Sequence, residues 1–238
     1  MLTLALGYRI FLFETDESET SVYFKDFGIS IPKGYSKHGI DISKYQKHIN
    51  WREVASMNSG GINISFCFIK ATEGLLYTDY HYQRNHDEAR NYKITAGAYH
   101  YFNPNYSSLW QARHFINQIE FVKGDLFPVI DVEETKGFSK EELCKKVLEW
   151  LHFVEDKCNC TPIVYTNVNF YNNYLYLLPD QYPLWIAKYH SEKPKLINNN
   201  KFMFWQYSQN GNVSGIGHKV DFNLFNGSKS EFNKYIID

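Results

Sequence analysis

Short apolar runs alternate with longer amphipathic segments from Lys37 to the C-terminus. Each run has the length of a β-strand, and the segments between the first five runs, notably 78–92, 107–121 and 139–157, are long enough for helices. Strands and helices in alternation predict βαβ units and a parallel sheet. The eight predicted strands are HGIDIS (38–43), ISFCFIKA (64–71), TAGAYHYF (95–102), LFPVIDVE (126–133), TPIVYT (161–166), PLWIAK (183–188), FMFWQYS (202–208) and HKVDFN (218–223).

The segment 139–157 shows the helical pattern most clearly. Ser139, followed three positions later by Glu142, is a capping-box signature. The last three strands follow one another with little room between them, so we expect the final third of the chain to be poor in helix. Eight mostly parallel strands therefore predict a closed barrel with an incomplete outer ring of helices. The apolar residues of 139–157 that recur at helical spacing are Leu143, Val147, Leu148, Leu151 and Val154.

The stretch FPVIDVEET (127–135) begins as a buried strand and then places three carboxylates among four positions. Burying a lone carboxylate is costly unless it is paired or hydrogen-bonded, so fold stability does not explain this pattern. Side chains at i and i+2 of a strand share a face, with Cα atoms roughly 6.5 Å apart, which places Asp131 beside Glu133. Val132 and Glu134 then point elsewhere. Acidic residues at strand ends also cap helices or pair with lysine, and the tripeptide alone does not separate these roles from catalysis.

Polar and aromatic residues end most of the other predicted strands. Active sites of β/α barrels lie at the C-terminal strand ends, so these side chains are expected to converge on one mouth. Asp41 and Asp221 can also be structural caps, and His100 also fits a hydrogen-bonded core histidine. Trp185 and Trp205 could offer a flat face to a sugar ring. The strand-end residues are Asp41, Tyr99, His100, Tyr101, Asp131, Glu133, Tyr165, Trp185, Lys188, Trp205, Gln206, Tyr207 and Asp221.

Composition narrows the class of ligand. The formal net charge is -1, and no block of lysine and arginine with interleaved aromatic residues is present, which argues against a nucleic-acid partner. Aromatic residues make up 18% of the chain, and Tyr and Trp combine an apolar body with a polar tip that suits sugar rings. The four cysteines predict no disulfide framework, and the C-x-C pair at 158–160 lacks further partners for a zinc site.

Several carboxylates, aromatic platforms and the lack of a phosphate loop fit glycoside hydrolysis. That reaction needs one carboxylic acid to protonate the leaving oxygen and a second group to stabilise an oxocarbenium-like transition state. Crowded carboxylates suit it, because neighbouring negative charge raises the pKa of the acid so that it keeps a proton near neutrality.

The sequence also resembles glycoside hydrolase family 25, the lysozymes or N-acetylmuramidases. The resemblance covers about Gly39 to the C-terminus, with the motifs in family order. It implies a flattened, irregular, TIM-like α/β barrel of five β/α units and three further strands. The implied reaction is hydrolysis of the β-1,4 bond between N-acetylmuramic acid and N-acetylglucosamine in peptidoglycan, with no metal or other cofactor. The matching motifs are GIDISKYQ (39–46), FIKATEG (68–74), GAYHYF (97–102), FPVIDVE (127–133), PIVYTN (162–167), LWIAKY (184–189), WQYS (205–208) and VDFNLFNG (220–227).

The resemblance implies roles for individual residues. Glu133 resembles the general acid, and Asp131 resembles the partner that positions the substrate's acetamido group or stabilises positive charge. Asp41 and Asp221 resemble the outer acids of the site. Attack by water and attack by the acetamido group both keep Glu133 as the acid, and the residues leave this choice open. The positions that resemble substrate contacts are Tyr99, Tyr101, Tyr165, Trp185 and Gln206.

The N-terminal residues 1–36 have no counterpart in the family pattern. We interpret MLTLALGYRIFLF (1–13) as the remnant of a signal anchor and ETDESETS (14–21) as a polar linker, followed by a catalytic domain at 37–238. This interpretation predicts an extracytoplasmic protein, secreted or anchored to the membrane. We expect a monomer that acts on peptidoglycan strands and has no protein partner.

Two other functions compete with a lysozyme. A catalytically silent wall-binding protein would be expected to have lost Glu133 or Asp131, and both are present. A chitinase-like barrel also ends a strand in D-x-E, but the longer acidic series expected before its glutamate is missing, since 127–130 are apolar.

Overall fold

The computed structural model describes residues 20–189 and 192–238 of the 238-residue chain. All eight predicted strands are present. The twelve strands are β1 Ser21–Phe24, β2 Ile29–Pro32, β3 His38–Ile42, β4 Asn58–Ser59, β5 Ile62–Glu73, β6 Tyr77–Thr78, β7 Thr95–Tyr101, β8 Val129–Asp131, β9 Ile163–Asn167, β10 Leu184–Ala187, β11 Phe204–Val213 and β12 Ile216–Phe225.

Eight of these strands close into a barrel, which confirms the predicted fold class. The order around the barrel is β3, β12, β11, β10, β9, β8, β7 and β5, and pairing of β3 with β5 closes the ring. Six of the junctions are parallel, while β12 runs antiparallel to both of its neighbours. Because the other seven barrel strands share one direction, their carboxyl ends meet at one mouth.

Helices cover the barrel unevenly. The three predicted helices are present, and Ser139 and Glu142 form the predicted capping box at the start of the longest. The described residues after β10 contain only short helical pieces, as expected. The α-helices are α1 Trp51–Ser56, α2 Tyr82–Asn91, α3 Ser108–Gln118, α4 Lys140–Cys158, α5 Val168–Phe170 and α6 Lys229–Phe232. Short 3-10 helices lie at Lys44–Gln46, Ile197–Asn199 and Asn233–Tyr235, and a π-helical turn lies at Tyr171–Leu175.

Large aromatic rings fill the interior of the barrel on the side away from the mouth. Phe68 stacks on Trp185 with ring centroids 4.3 Å apart, and Phe66 packs edge-on against Phe204 at 5.6 Å. Two strand glycines make room for these rings. A Cβ on Gly39 would lie 2.5 Å from the Phe66 ring, and a Cβ on Gly97 would lie 2.8 Å from Leu126 Cβ. The glycines in HGIDIS and TAGAYHYF therefore serve close packing inside the barrel.

A short hairpin precedes the barrel. Strands β1 and β2 pair antiparallel, and Phe27, Ile29 and Ile31 are buried in the core that lies outside the barrel sheet. Phe27 packs edge-on against Phe222 of β12 at 5.3 Å. Part of the predicted 1–36 extension thus packs against the barrel, and the domain boundary at 36/37 stays a prediction.

The predicted anchor at 1–13 lies outside the described residues, as does most of the predicted linker. Within 20–189 and 192–238, no helix is both long and apolar enough to cross a membrane.

Candidate active site

The inward-facing residues of the barrel strands change from apolar to polar toward the mouth of the barrel. Alternate residues of a strand face the same side, so Phe66 and Phe68 lie on the interior face together with Lys70. The interior positions far from the mouth are apolar, and those at the mouth are polar. The polar interior positions are Asp41, Lys70, Tyr99, Tyr101, Asp131, Tyr165, Gln206, Asp221 and Asn223.

Asp41 and Asp221 form an acid pair across two neighbouring strands. They are register partners in the β3–β12 ladder, and a hydrogen bond joins their carboxyl groups. Burial raises the pKa of Asp41 well above its usual value, and the charge of Asp221 raises it further. Burial and mutual repulsion both favour a proton shared by the pair, and a protonated carboxyl can donate to its neighbour.

Two amide side chains hold the Asp41 carboxyl in place. Gln206 Nε2 and Asn223 Nδ2 both donate to Asp41 Oδ2 at 2.8 Å. Asn223 is oriented in turn by Trp185, whose Nε1 donates to Asn223 Oδ1 at 2.8 Å. Tyr165 donates its hydroxyl to Gln206 Oε1 at 2.9 Å. These bonds join side chains of five different strands and fix the inner wall of the site.

Asp131 and Glu133 lie at the end of β8 and differ in exposure. Asp131 is buried, whereas Glu133 is open to solvent. Burial raises the pKa of Asp131 well above its usual value, and the charge of Glu133 adds to this effect. The pKa of Glu133 is also raised, first by partial loss of water around its carboxyl and then by Glu134, while the polar contact with the Tyr165 hydroxyl opposes the shift.

Glu134 faces away from this pair. Its carboxyl forms an ion pair with Lys136 Nζ at 2.7 Å, in agreement with the alternation expected along a strand. Asp131 Oδ1 is different, since it has no hydrogen-bond partner among the described residues. A buried acceptor without a partner is costly, so this oxygen is suited to accept a hydrogen bond from a ligand.

The structure brings all four predicted acids together. The charge of Asp41 raises the pKa of Asp131, and the charge of Glu133 raises the pKa of Asp221. Tyr99 and Tyr101 lie on β7 between Lys70 and Asp131, as the strand pairing shows. Of the predicted contact residues, Tyr99, Tyr101, Tyr165 and Gln206 therefore border the acids.

The predicted tryptophan platforms are buried. Trp185 is 2% exposed and Trp205 is 1% exposed, so neither offers an open face to a sugar ring. Trp205 Nε1 donates to the backbone oxygen of Lys188 at 2.8 Å. His100 is also buried, with its two ring nitrogens facing Thr72 and Gln111. This placement fits the alternative of a hydrogen-bonded core histidine.

Sequence reasoning missed three residues of the site. Tyr189 donates its hydroxyl to Gln206 Oε1 at 3.1 Å, Asn223 holds Asp41, and Lys70 forms an ion pair with Glu73 at 2.6 Å. Lys70 Nζ also lies 4.8 Å from the centre of the Tyr101 ring. Each missed residue is two positions from another inward-facing residue. Strand alternation could therefore have predicted that all three side chains face the interior of the barrel.

Comparisons with known proteins identify the family of the chain. Residues 40–216 match the family described as glycosyl hydrolases family 25. The chain belongs to this family. It is 42% identical to the Escherichia coli K12 protein YegX over 212 residues, which is 89% of this chain and 78% of YegX. It is 35% identical over 187 residues to the autolytic lysozyme of Clostridium acetobutylicum, with 79% of this chain and 55% of the relative covered.

A solved structure shares the fold of this family 25 chain. The family 25 glycosyl hydrolase from Bacillus anthracis superposes with a TM-score of 0.77 at 32% identity, covering 84% of this chain and 94% of the other. Within the part of the chain that the structure describes, no three His, Cys, Asp or Glu side chains group so as to hold a metal ion.

Replacing Asp221 by asparagine is expected to stabilise this family 25 barrel at neutral pH. Burial and the nearby Glu133 raise the pKa of Asp221 to about 6, although its hydrogen bond with Asp41 opposes the rise. The folded state thus holds this proton more tightly than the unfolded state does, so stability falls as pH rises through the interval from the unfolded pKa to about 6. Complete ionisation costs about 3 kcal/mol at about 1.4 kcal/mol per pKa unit.

Urea unfolding of the wild type and Asp221→Asn across this pH range measures the effect. The difference in unfolding free energy should grow between about pH 4 and pH 7 and level off on either side. Asp156→Asn, which changes an exposed carboxylate, is the matched control and should unfold as the wild type does. A difference between wild type and Asp221→Asn that stays constant over the whole range would contradict the shifted pKa.

Proposed function

We propose that this chain is a lysozyme that hydrolyses the β-1,4 bond between N-acetylmuramic acid and N-acetylglucosamine, with Glu133 as general acid. The observation that carries the proposal is the convergence of four carboxyl groups at the mouth of the barrel, where one is exposed and three are wholly or largely buried. The autolytic lysozyme of Clostridium acetobutylicum, to which the chain is 35% identical, supports the substrate class.

Glu133 supplies the proton. Partial loss of water around its carboxyl raises the pKa of Glu133, and the charge of Glu133 in turn raises the pKa of the neighbouring Asp131. Glu133 is the exposed member of the pair and can reach the glycosidic oxygen of a glycan strand bound in a groove across the mouth of the barrel. Proton transfer to that oxygen breaks the bond to the muramic acid C1, and the N-acetylglucosamine unit leaves with a free hydroxyl.

Asp131 supports the positive charge that develops at C1. Its unpartnered Oδ1 is placed to accept the N–H of the acetamido group, which orients that group for attack on C1. If water attacks instead, the same carboxylate stabilises the oxocarbenium-like transition state. Both courses use Glu133 as the acid. In the acetamido course Glu133 then acts as base toward the entering water, whereas in direct attack by water the second carboxylate takes that role.

The remaining site residues position the substrate and the acids. The Asp41 and Asp221 pair forms the outer acidic wall, held by Gln206. Tyr99, Tyr101 and Tyr165 border the groove as sugar contacts. Trp185 orients Asn223 by a hydrogen bond and does not stack on a sugar, because its ring is buried.

Peptidoglycan lies outside the cytoplasmic membrane, and we place the protein there. It acts as a monomer that is secreted or anchored by its N-terminal segment.

Release of soluble fragments from purified peptidoglycan and from chitin tests the proposed substrate. We expect release from peptidoglycan and none from chitin. Sedimentation of the protein with insoluble peptidoglycan, measured in parallel, reports binding. Binding without release would favour the silent wall-binding protein, and release from chitin alone would favour a chitinase. Either result would overturn the proposal.

A further inference from the structure

Two cysteines meet at the end of α4, away from the glycan site. Cys158 is the last residue of the helix, and Asn159 adopts a left-handed conformation with φ 51 and ψ 37 that turns the chain back. Cys158 Sγ and Cys160 Sγ lie 2.7 Å apart, and both residues are free and partly exposed. The C-x-C segment therefore presents two adjoining thiols to solvent.

The two thiols have different surroundings. Cys158 Sγ donates toward the backbone oxygen of Cys160 at 3.1 Å and that of Glu155 at 3.9 Å. The hydrogen bond from Cys160 lowers the pKa of Cys158, whereas the same contact raises the pKa of Cys160. Of the two, Cys158 is the better attacking thiolate.

The other two cysteines are unsuited to this chemistry. Cys67 is fully buried within β5, and burial raises its pKa well above the usual value. Cys144 is 4% exposed, its Sγ donates to the backbone oxygen of Tyr174, and burial raises its pKa to about 11. They serve as internal controls for the reactivity of a thiol in the same molecule.

We propose that Cys158 and Cys160 form a reversible thiol–disulfide site that closes on reaction with a low-molecular-weight disulfide such as glutathione disulfide. The Cys158 thiolate attacks one sulfur of the reagent, and that disulfide bond breaks to release one glutathione thiolate. Cys160 then loses its proton, attacks the Cys158 sulfur of the mixed disulfide and expels the second glutathione. The protein loses two hydrogens, and the reagent is reduced to two thiols.

The closed site would be easily reduced and would leave the catalytic groove unchanged. A disulfide that encloses only three residues removes little chain entropy from the unfolded state, so it adds little stability. Two residues separate Cys160 from the first residue of β9, Ile163, whereas the acids lie beside the middle and carboxyl end of that strand, where Tyr165 pairs with Asp131. Oxidation is therefore expected to leave glycan cleavage at its original rate.

Mass analysis of the full chain after incubation with glutathione disulfide tests the site. We expect two of the four thiols to disappear and the protein to become lighter by two hydrogens. Cleavage after lysine places Cys158 and Cys160 together in 158–188, apart from Cys144, so peptide mapping locates the bond. Added dithiol should restore all four thiols.

Cys160→Ser should stop at the mixed disulfide, with one glutathione held on Cys158. Cys144→Ser is the matched control and should close as the wild type does. A wild-type protein that keeps four free thiols, or that accumulates glutathione on Cys158 without closing, would overturn the proposal. These readouts do not use glycan cleavage, so they stand or fall separately from the lysozyme activity.

Discussion

Replacing Glu133 by glutamine is expected to lower kcat on purified peptidoglycan by at least about 10²-fold, the lower range for general acid catalysis. Glutamine keeps the shape of the side chain, but its amide N–H groups are not acidic enough to protonate the leaving oxygen. Partial loss of water around the carboxyl raises the pKa of Glu133, which favours the protonated form that the reaction requires. In the wild type, kcat should fall as pH rises through this pKa, because the acid must be protonated to act.

Glu134→Gln provides the matched control for that variant. It changes the adjacent carboxylate, whose partner is Lys136 and not the catalytic pair. We expect Glu134→Gln to retain wild-type turnover, with its fall shifted to lower pH because the Glu134 charge helps to raise the pKa of Glu133. Glu133→Gln should lose that pH dependence together with the rate. Wild-type turnover in Glu133→Gln, or an equal loss in Glu134→Gln, would remove Glu133 from the role of acid.

Asp131→Asn is expected to lower kcat by about 10²-fold while raising stability. The loss of rate follows from removing a preorganised negative charge beside the developing positive charge. The gain in stability is expected at pH values above the unfolded-state pKa, where the unfolded chain holds this carboxyl charged. Burial disfavours that charge in the folded chain, and asparagine carries none. A charge used in the transition state should affect kcat more than KM.

Peptidoglycan turnover and thermal unfolding of Asp131→Asn, measured on one preparation, separate the two effects. Asp156→Asn, at an exposed position, should change neither quantity. An inactive Asp131→Asn with lowered stability would indicate a damaged fold. A variant with unchanged kcat would show that Asp131 has no part in the chemistry.

The strand-and-helix pattern was sufficient to predict the barrel because its elements have clear local signals. Each barrel strand has an apolar run, and α4 begins with a capping box. The positions of the strand ends were predicted less accurately. The predicted strand 126–133 is only Val129–Asp131 in the structure, since Pro128 has no N–H for the ladder. Strands β11 and β12 extend beyond their predicted ends into a polar hairpin, where exposed residues hide the pattern.

Depth within the barrel could not be predicted from the sequence. Alternation shows which residues share a face, and it placed Asp131 and Glu133 on one side. It does not show how far along the barrel axis a residue lies, so Trp185 was expected at the open mouth and is buried below it. The amide network around Asp41 joins residues up to 182 positions apart, and its pairing depends on barrel closure.

The identity of the new reducing ends released from peptidoglycan tests the central claim most directly. Borohydride reduction of the wild-type digest, followed by acid hydrolysis and mass analysis, shows which sugar was freed at C1. Our account predicts reduced muramic acid from the wild type and none from Glu133→Gln. Reduced glucosamine as the product, or soluble fragments without any new reducing end, would contradict it.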